Sequence, residues 1–265
     1  MYDFEFTRPT DLSVAVDALK AEGAQALGGG QTLIPVLKQR LAAPTTLVDL
    51  SGIDSMKGIR RMGDMLVIGG GTTHGAVAGS ADVAAAIPGL VELTSKVGDP
   101  QVRNRGTIGG SLANNDPAAC YPAAALALGA TIVTNNREIA AEDFFQGLYA
   151  TALEEGEVIT AVKFPIPAAS TYQKFEQPAS RFSLTSVFLA RMQDGSVRVG
   201  VTGAGADGVF RHEGLEQALS SSFSADAVDG VSVAAEGMSN DLHATPEYRA
   251  NLVKVMTKRA VAAIG

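Results

Sequence analysis

Two stretches of the form Gly-Gly-Gly-x-Thr constrain this chain more than anything else in it: Gly28-Gly29-Gly30-Gln31-Thr32 and Gly69-Gly70-Gly71-Thr72-Thr73. Three successive residues without Cβ atoms let the backbone take positive φ and approach another segment or a ligand closely. Each stretch therefore reads as a sharp turn between a strand and a helix. The flanking patterns agree. Leu12, Ala15, Val16 and Leu19 recur at helical spacing after a Thr10-Asp11 cap, and Gly23 ends that helix. A strand over residues 24–27 enters the first glycine stretch. A helix over 33–41, with Pro35 in its first turn, leaves it, and 45–50 reads as a strand. The N-terminal portion is thus α–β–α–β. The two stretches echo one another, but two short matches do not make a repeat.

Further along, residues 58–61 and 65–68 form a hairpin pattern about a Gly63-Asp64 turn, which enters the second glycine stretch. Helical patterns follow at 74–78, 82–86 and 89–96. Residues 97–122 read as an irregular segment, too long for a bland connection and so a candidate functional loop. A helix over 123–128, a strand over 130–134 and a strand over 158–164 close this region. Pro165-Ile166-Pro167 marks a boundary, which divides the chain into 1–52, 53–167 and 168–265. Beyond it, strands are expected at 171–175, 184–191 and 196–202, the last two joined by Asp194-Gly195, a hairpin signal. Helices are expected at 214–219, 225–235 and 246–263, the last presenting Tyr248, Leu252, Val255 and Met256 on one face. The C-terminal part reads as a small antiparallel sheet backed by helices.

The composition narrows the chemistry. The 265 residues include one cysteine, Cys120, and three histidines, His74, His212 and His243, none at metal-ligand spacing. A disulfide framework, a cysteine-rich zinc site and an iron–sulfur cluster held by this chain alone are excluded, so any redox centre here is organic. A net charge of −7 argues against nucleic acid as a partner. No apolar run approaches the ~18 residues of a membrane span, and the start lacks a signal-peptide pattern, so a cytoplasmic protein is expected. Charged residues make up 18%, below the roughly 25% typical of soluble domains, and with 29 glycines this suggests a tightly packed protein with many loops or large buried interfaces.

Two segments carry the candidate site. Gly28, Gly29 and Gly30 present amides at a helix start, with Gln31, Thr32 and Leu33 following; an anion site and a plain tight turn are both open readings. The second segment, residues 102–117, places Thr107, Ile108, Gly109, Gly110 and Ser111 beside Asn114, Asn115 and Asp116. Exposed glycine amides, hydroxyls, amides and a carboxylate together suit a large polar cofactor with phosphate and sugar groups. Gly203-Ala-Gly205-Ala-Asp-Gly208 matches Gly-x-Gly-x-x-Gly, but the strand before it belongs to an antiparallel hairpin, so it is rejected as a dinucleotide fingerprint. The histidines are expected to be structural or at the surface, and Cys120 a buried apolar packer.

Gly28-Gly-Gly-Gln-Thr-Leu-Ile-Pro35 and Val102-Arg-Asn-Arg-Gly-Thr-Ile-Gly-Gly-Ser-Leu-Ala-Asn-Asn-Asp-Pro117 resemble the two FAD-binding motifs of the molybdenum hydroxylase flavoprotein subunits, the medium subunits of the aerobic carbon monoxide dehydrogenase and xanthine dehydrogenase type. The resemblance covers nearly the whole chain, and residues 241–249 also resemble the family's C-terminal domain. It implies an α+β fold: a PCMH-type, vanillyl-alcohol-oxidase-like FAD domain in two lobes, then a small α+β C-terminal domain. FAD would lie between the lobes, its diphosphate cradled by residues 28–33 and faced by Thr107 to Ser111. Asn114 and Asp116 would sit near the flavin or its sugar chain. Ile159 and Lys174 match less specific contact positions, and Val97 falls where some relatives carry an aromatic near the flavin ring. Cys120 stands where the family commonly has an acidic residue, a departure from the pattern. The resemblance further implies partners: a large subunit with a molybdenum cofactor and a small subunit with two [2Fe–2S] clusters, arranged as a dimer of heterotrimers. Electrons would pass through FAD to an external acceptor. Two rival readings stay open, a self-sufficient FAD oxidase of the same fold and a non-enzymatic scaffold or assembly relative.

Overall fold

The structure, a computed structural model, describes residues 1–265. Its first element, β1 (Glu5–Thr7), is followed by α1 (Leu12–Leu19), β2 (Ala24–Leu27), α2 (Leu33–Lys38) and β3 (Thr46–Asp49). The Asp11 carboxylate caps α1 by accepting from the Ser13 amide. The three strands form a parallel sheet in the order β1-β3-β2. Ala15, Leu19, Val48 and Ile53 fill its small core. Helix α2 is shorter than the pattern over 33–41 predicts. Arg40 turns left-handed, with φ 59°, so the chain leaves the helix and Leu41 is 73% exposed.

The middle of the chain builds β4 (Ile59–Met62), β5 (Met65–Gly69), α3 (His74–Ala78), α4 (Ala81–Ala86), α5 (Pro88–Ser95), α6 (Pro100–Arg105), α7 (Ile108–Asn114), α8 (Tyr121–Leu128), β6 (Thr131–Thr134), β7 (Glu138–Ala140), α9 (Ala141–Phe144) and β8 (Ile159–Pro165). Its five strands form an antiparallel sheet, β4-β5-β8-β6-β7. The segment expected to be irregular over 97–122 instead holds α6, α7 and the first turn of α8. Asp99 caps α6 by accepting from the Val102 amide, and Thr107 caps α7 by accepting from the Gly110 amide. Every residue of α8 is buried. It is a short central helix without an amphipathic stripe, as a helix enclosed on all sides must be.

The remainder is β9 (Ala169–Glu176), β10 (Ser183–Arg191), β11 (Val197–Gly205), β12 (Gly208–Arg211), α10 (Glu213–Ser221), α11 (Ala225–Asp229) and α12 (Pro246–Ile264). The antiparallel sheet runs β12-β11-β10-β9, one strand more than the sequence predicts. Both faces of β10 are covered. Phe188 and Ala190 join the main core beneath the five-stranded sheet, while Val187 and Leu189 join a second core under α10, α11 and α12. The helix expected over 225–235 stops at Asp229. On α12 the buried face runs through Leu252, Val253, Met256, Ala260 and Val261; Tyr248, expected on that face, is 44% exposed. The Gly203–Gly208 motif spans the β11–β12 turn, which is antiparallel, in agreement with its rejection as a nucleotide fingerprint.

Candidate functional site

The two glycine stretches of the sequence take different roles. Gly69, Gly70 and Gly71 are packing glycines. A Cβ on Gly70 would lie 2.1 Å from the Ile159 carbonyl oxygen, and one on Gly69 2.4 Å from that of Met56. This close backbone forms the bed on which α7 starts: the Ile108 amide donates to the Thr72 oxygen (3.1 Å) and the Gly109 amide to the Gly70 oxygen (2.8 Å).

Residues 28–33 differ. None of their backbone N–H groups donates a hydrogen bond within the chain. Gly30, at φ 72°, turns the chain into α2, and the Thr32 side chain makes no capping bond at that helix start. The result is a run of successive uncommitted donors, reinforced by the partial positive charge of a helix N-terminus. Opposite them stands the α6–α7 turn. A Cβ on Gly29 would fall 2.1 Å from the Arg105 carbonyl oxygen and 2.5 Å from the Gly106 Cα, and one on Gly28 3.2 Å from the Thr107 hydroxyl. The two segments singled out in the sequence therefore meet, backbone against backbone, across the gap between the parallel and the five-stranded sheets.

They frame a cavity of about 1110 Å³. That exceeds the roughly 300–1,000 Å³ of sites for drug-sized molecules and suits a dinucleotide. Gly28, Gly29, Gly30, Gln31, Thr32, Leu33, Thr107, Gly109, Gly110, Ser111, Asn114, Asp116, Ile159 and Lys174 all line it. Ile108 does not: its side chain is fully buried in the main core and anchors α7 from behind. The second motif also departs from its expected role as a source of exposed amides. Gly109 and Gly110 already donate, to the Gly70 oxygen and the Thr107 hydroxyl. Their lack of side chains, rather than their N–H groups, is what they present to the cavity.

The polar groups at and just behind the wall, the latter being Asn115, are individually tethered. Asp116 accepts from the Ala118 amide at 2.8 Å and, more distantly, from the Tyr149 hydroxyl at 3.4 Å. Asn115, left-handed at φ 41°, sends its side-chain amide to the Gly147 and Ala150 carbonyls, both at 2.8 Å. The Lys174 ammonium donates to the Lys96 carbonyl. Glu157 receives Arg137 at 3.0 Å and the Thr134 hydroxyl at 2.7 Å. Burial pushes its carboxyl up, but these bonds and one from the Glu154 amide outweigh that and hold its pKa at about 2.

Three wall residues were not expected there or were expected to be bland. His74, read as structural or surface, lies on the wall, only 5% exposed, its ring packed on Gly106 and 5.4 Å from the Tyr121 ring. Burial, with the nearby Arg103 charge, pushes its pKa down to about 4, so the ring is neutral near pH 7. Its position after a glycine stretch was the only sequence signal. Cys120 is buried, as expected, and also on the wall. Phe182, between β9 and β10, carries no motif and could not have been found from the sequence; it is 63% exposed at the cavity.

Comparison with known proteins gives a consistent set of likenesses. The family model "FAD binding domain in molybdopterin dehydrogenase" matches residues 2–167. The carbon monoxide dehydrogenase medium chain of Afipia carboxidovorans is 34% identical, over 97% of this chain and 95% of its own. The nicotine 6-hydroxylase medium subunit of Paenarthrobacter nicotinovorans is 32% identical, over 98% and 96%. The solved structure of reconstituted CO dehydrogenase from Oligotropha carboxidovorans contains a chain of the same fold, with a TM-score of 0.89 at 34% identity, covering 98% of this chain and 97% of that one. No helix is long and apolar enough to cross a membrane.

Proposed function

This chain belongs to the FAD-binding family of the molybdopterin dehydrogenases, and from that membership we propose that it is the flavoprotein subunit of a molybdenum hydroxylase, carrying electrons from [2Fe–2S] clusters on a small partner subunit to an external acceptor. The hydroxylation itself belongs to a large partner subunit with a molybdenum cofactor, in a dimer of heterotrimers. In support of a multi-subunit enzyme, the relatives are themselves named medium chains or subunits.

The observation that carries the reading is the uncommitted amides of residues 28–33 facing a cavity large enough for a dinucleotide. Those amides and the Thr32 hydroxyl would hold the diphosphate. Thr107, Gly110 and Ser111 would close the opposite side, with Gly109 setting the depth of the wall. Asn114 and Asp116 would meet the sugar chain or the ring, and Ile159 and Lys174 the remaining rim. Bound there, FAD would supply the redox chemistry, since a flavin can exchange electrons singly or in pairs. The chain's own part is to bind, orient and shield: it needs no acid or base of its own. We divide it accordingly into lobes 1–52 and 53–167 and a C-terminal unit 168–265, each with its own sheet.

The test is FAD titration of the flavin-free full chain, followed by flavin absorbance and by unfolding temperature. Saturable uptake is expected, with about 2.7 kcal/mol of stabilisation at a hundredfold excess over Kd. Absence of uptake sinks the proposal. Flavin reduction by a small organic substrate with no partner present would instead identify a self-sufficient oxidase.

A further inference from the structure

Resting on the FAD reading above, we infer that Arg105 is the charge partner of the cofactor's diphosphate, a binding role separate from that of the glycines and hydroxyls that follow it in the second motif. A diphosphate brings two negative charges into a protein whose net charge is already −7. Neutral amides can hold such an anion, but a cation within reach of the glycine loop adds charge-assisted hydrogen bonds, which are about twice as strong as neutral ones.

Four cationic side chains line the cavity, Arg8, Lys57, Arg105 and Lys174. Three are committed. Arg8 pairs with Asp49 at 3.5 Å, Lys57 with Asp54 at 2.8 Å, and Lys174 donates to the Lys96 carbonyl at 2.9 Å. Arg105 has neither an ion pair nor a side-chain hydrogen bond, and it is exposed. Its position is also the most constrained of the four. It ends α6, and its carbonyl would lie 2.1 Å from a Cβ on Gly29, so its backbone is pressed against the middle of the first glycine stretch. Gly106 follows, held by the bond from the His74 amide to its carbonyl (2.9 Å) and by the His74 ring stacked on its Cα. The guanidinium thus starts from a fixed point beside the uncommitted amides and has no competing partner. The two wall carboxylates do not claim it: Glu157 is paired with Arg137, and Asp116 accepts from Ala118 and Tyr149.

Arg103, two residues earlier, provides the contrast. It donates to the Val97 and Gly98 carbonyls at 3.2 and 3.0 Å and so braces the loop before α6. It is absent from the cavity wall. The Arg-Asn-Arg sequence therefore divides into a bracing arginine and an unpaired one at the cavity wall.

The experiment titrates the flavin-free full chain with FAD and, separately, with riboflavin, which has the ring but no phosphate, at low and high salt. Arg105→Gln should weaken FAD binding about tenfold at low salt, less at high salt, and leave riboflavin binding unchanged. Arg105→Lys should recover most of the loss. Parental FAD affinity in Arg105→Gln, or equal losses for FAD and riboflavin, overturns the assignment while leaving the FAD reading intact. Failure of the parent chain to bind FAD overturns both.

Discussion

At the scale of single residues, adjacent glycines in one motif have separable tasks. A Cβ on Gly109 would sit 2.7 Å from the Gly70 carbonyl oxygen and 3.2 Å from the Gly70 Cα, a clash with immovable backbone. A Cβ on Gly110 would meet only the Thr107 hydroxyl, at 3.1 Å, and otherwise face the cavity. Gly109→Ala should therefore lower the stability of the flavin-free protein by about 1–3 kcal/mol, as overpacking does. Gly110→Ala should leave that stability nearly unchanged and weaken FAD binding instead. Parallel denaturant melts and FAD titrations separate the two, and equal effects in both assays would contradict the division. The sequence made this motif visible but not the division, because which glycine faces backbone and which faces cavity depends on Gly70, some forty positions away. His74 carries a second residue-scale prediction. Its folded pKa, about 4, lies below the ordinary imidazole value of about 6.5, so the unfolded state binds the proton more tightly. Stability from this group is full above about pH 6.5 and falls as pH drops toward 4, by up to about 3 kcal/mol. His74→Phe removes the titration, so its melting temperature should fall less over that window than the parent's; identical slopes would show that the ring is not held neutral.

Among the elements, segments with a clear apolar pattern were legible even when short, as α3 and α4 were, and segments without one were not. Helix α1 and the hairpin of β4 and β5 follow directly from apolar spacing and a Gly-Asp turn. Helices α6 and α7 were missed because α6 buries no residue and so shows no apolar stripe, and Gly109 and Gly110 lower the apparent helix propensity of α7. Their caps, Asp99 before Pro100 and Thr107, were the available signal. Helix α8 was expected over 123–128, but not its setting: with all residues buried it has no polar face from which to read which elements, here β10 and β11, enclose it. That packing is close enough to test. A Cβ on Gly200 of β11 would lie 2.1 Å from the Ala123 carbonyl oxygen of α8. Gly200→Ala must push helix and strand apart, and a loss of about 1–3 kcal/mol in denaturant unfolding is expected. An unchanged midpoint would mean that α8 can shift freely, which its burial on all sides opposes.

For the molecule as a whole, the C-terminal sheet is part of the machinery that shapes the cavity. The Glu92 carboxylate of α5 accepts from the Thr171 hydroxyl and the Tyr172 amide of β9, both at 2.7 Å. Glu142 of α9 joins Arg198 and Arg211 of β11 and β12. The connection nearest the site is Thr202. Fully buried on β11, its hydroxyl lies 3.1 Å from the Pro117 carbonyl and 2.7 Å from that of Ala119, while the Gly203 amide donates to Pro117 at 2.9 Å. These bonds hold the segment between Asp116 and Cys120, both of which line the cavity. A proline-bounded division of the sequence cannot reveal this, because the bonds join residues more than eighty positions apart. Thr202→Val keeps the shape of the side chain and removes the donor. It should cost about 1–3 kcal/mol, the usual penalty for buried acceptors left without a partner. If β11 positions the cavity segment, the variant should also release FAD before it unfolds: flavin fluorescence should rise at a lower temperature than the loss of helical circular dichroism. Thr202→Ser, which restores the hydroxyl, should bring the two transitions back together. Coincident transitions in Thr202→Val would mean that the C-terminal unit stabilises the protein without shaping its site.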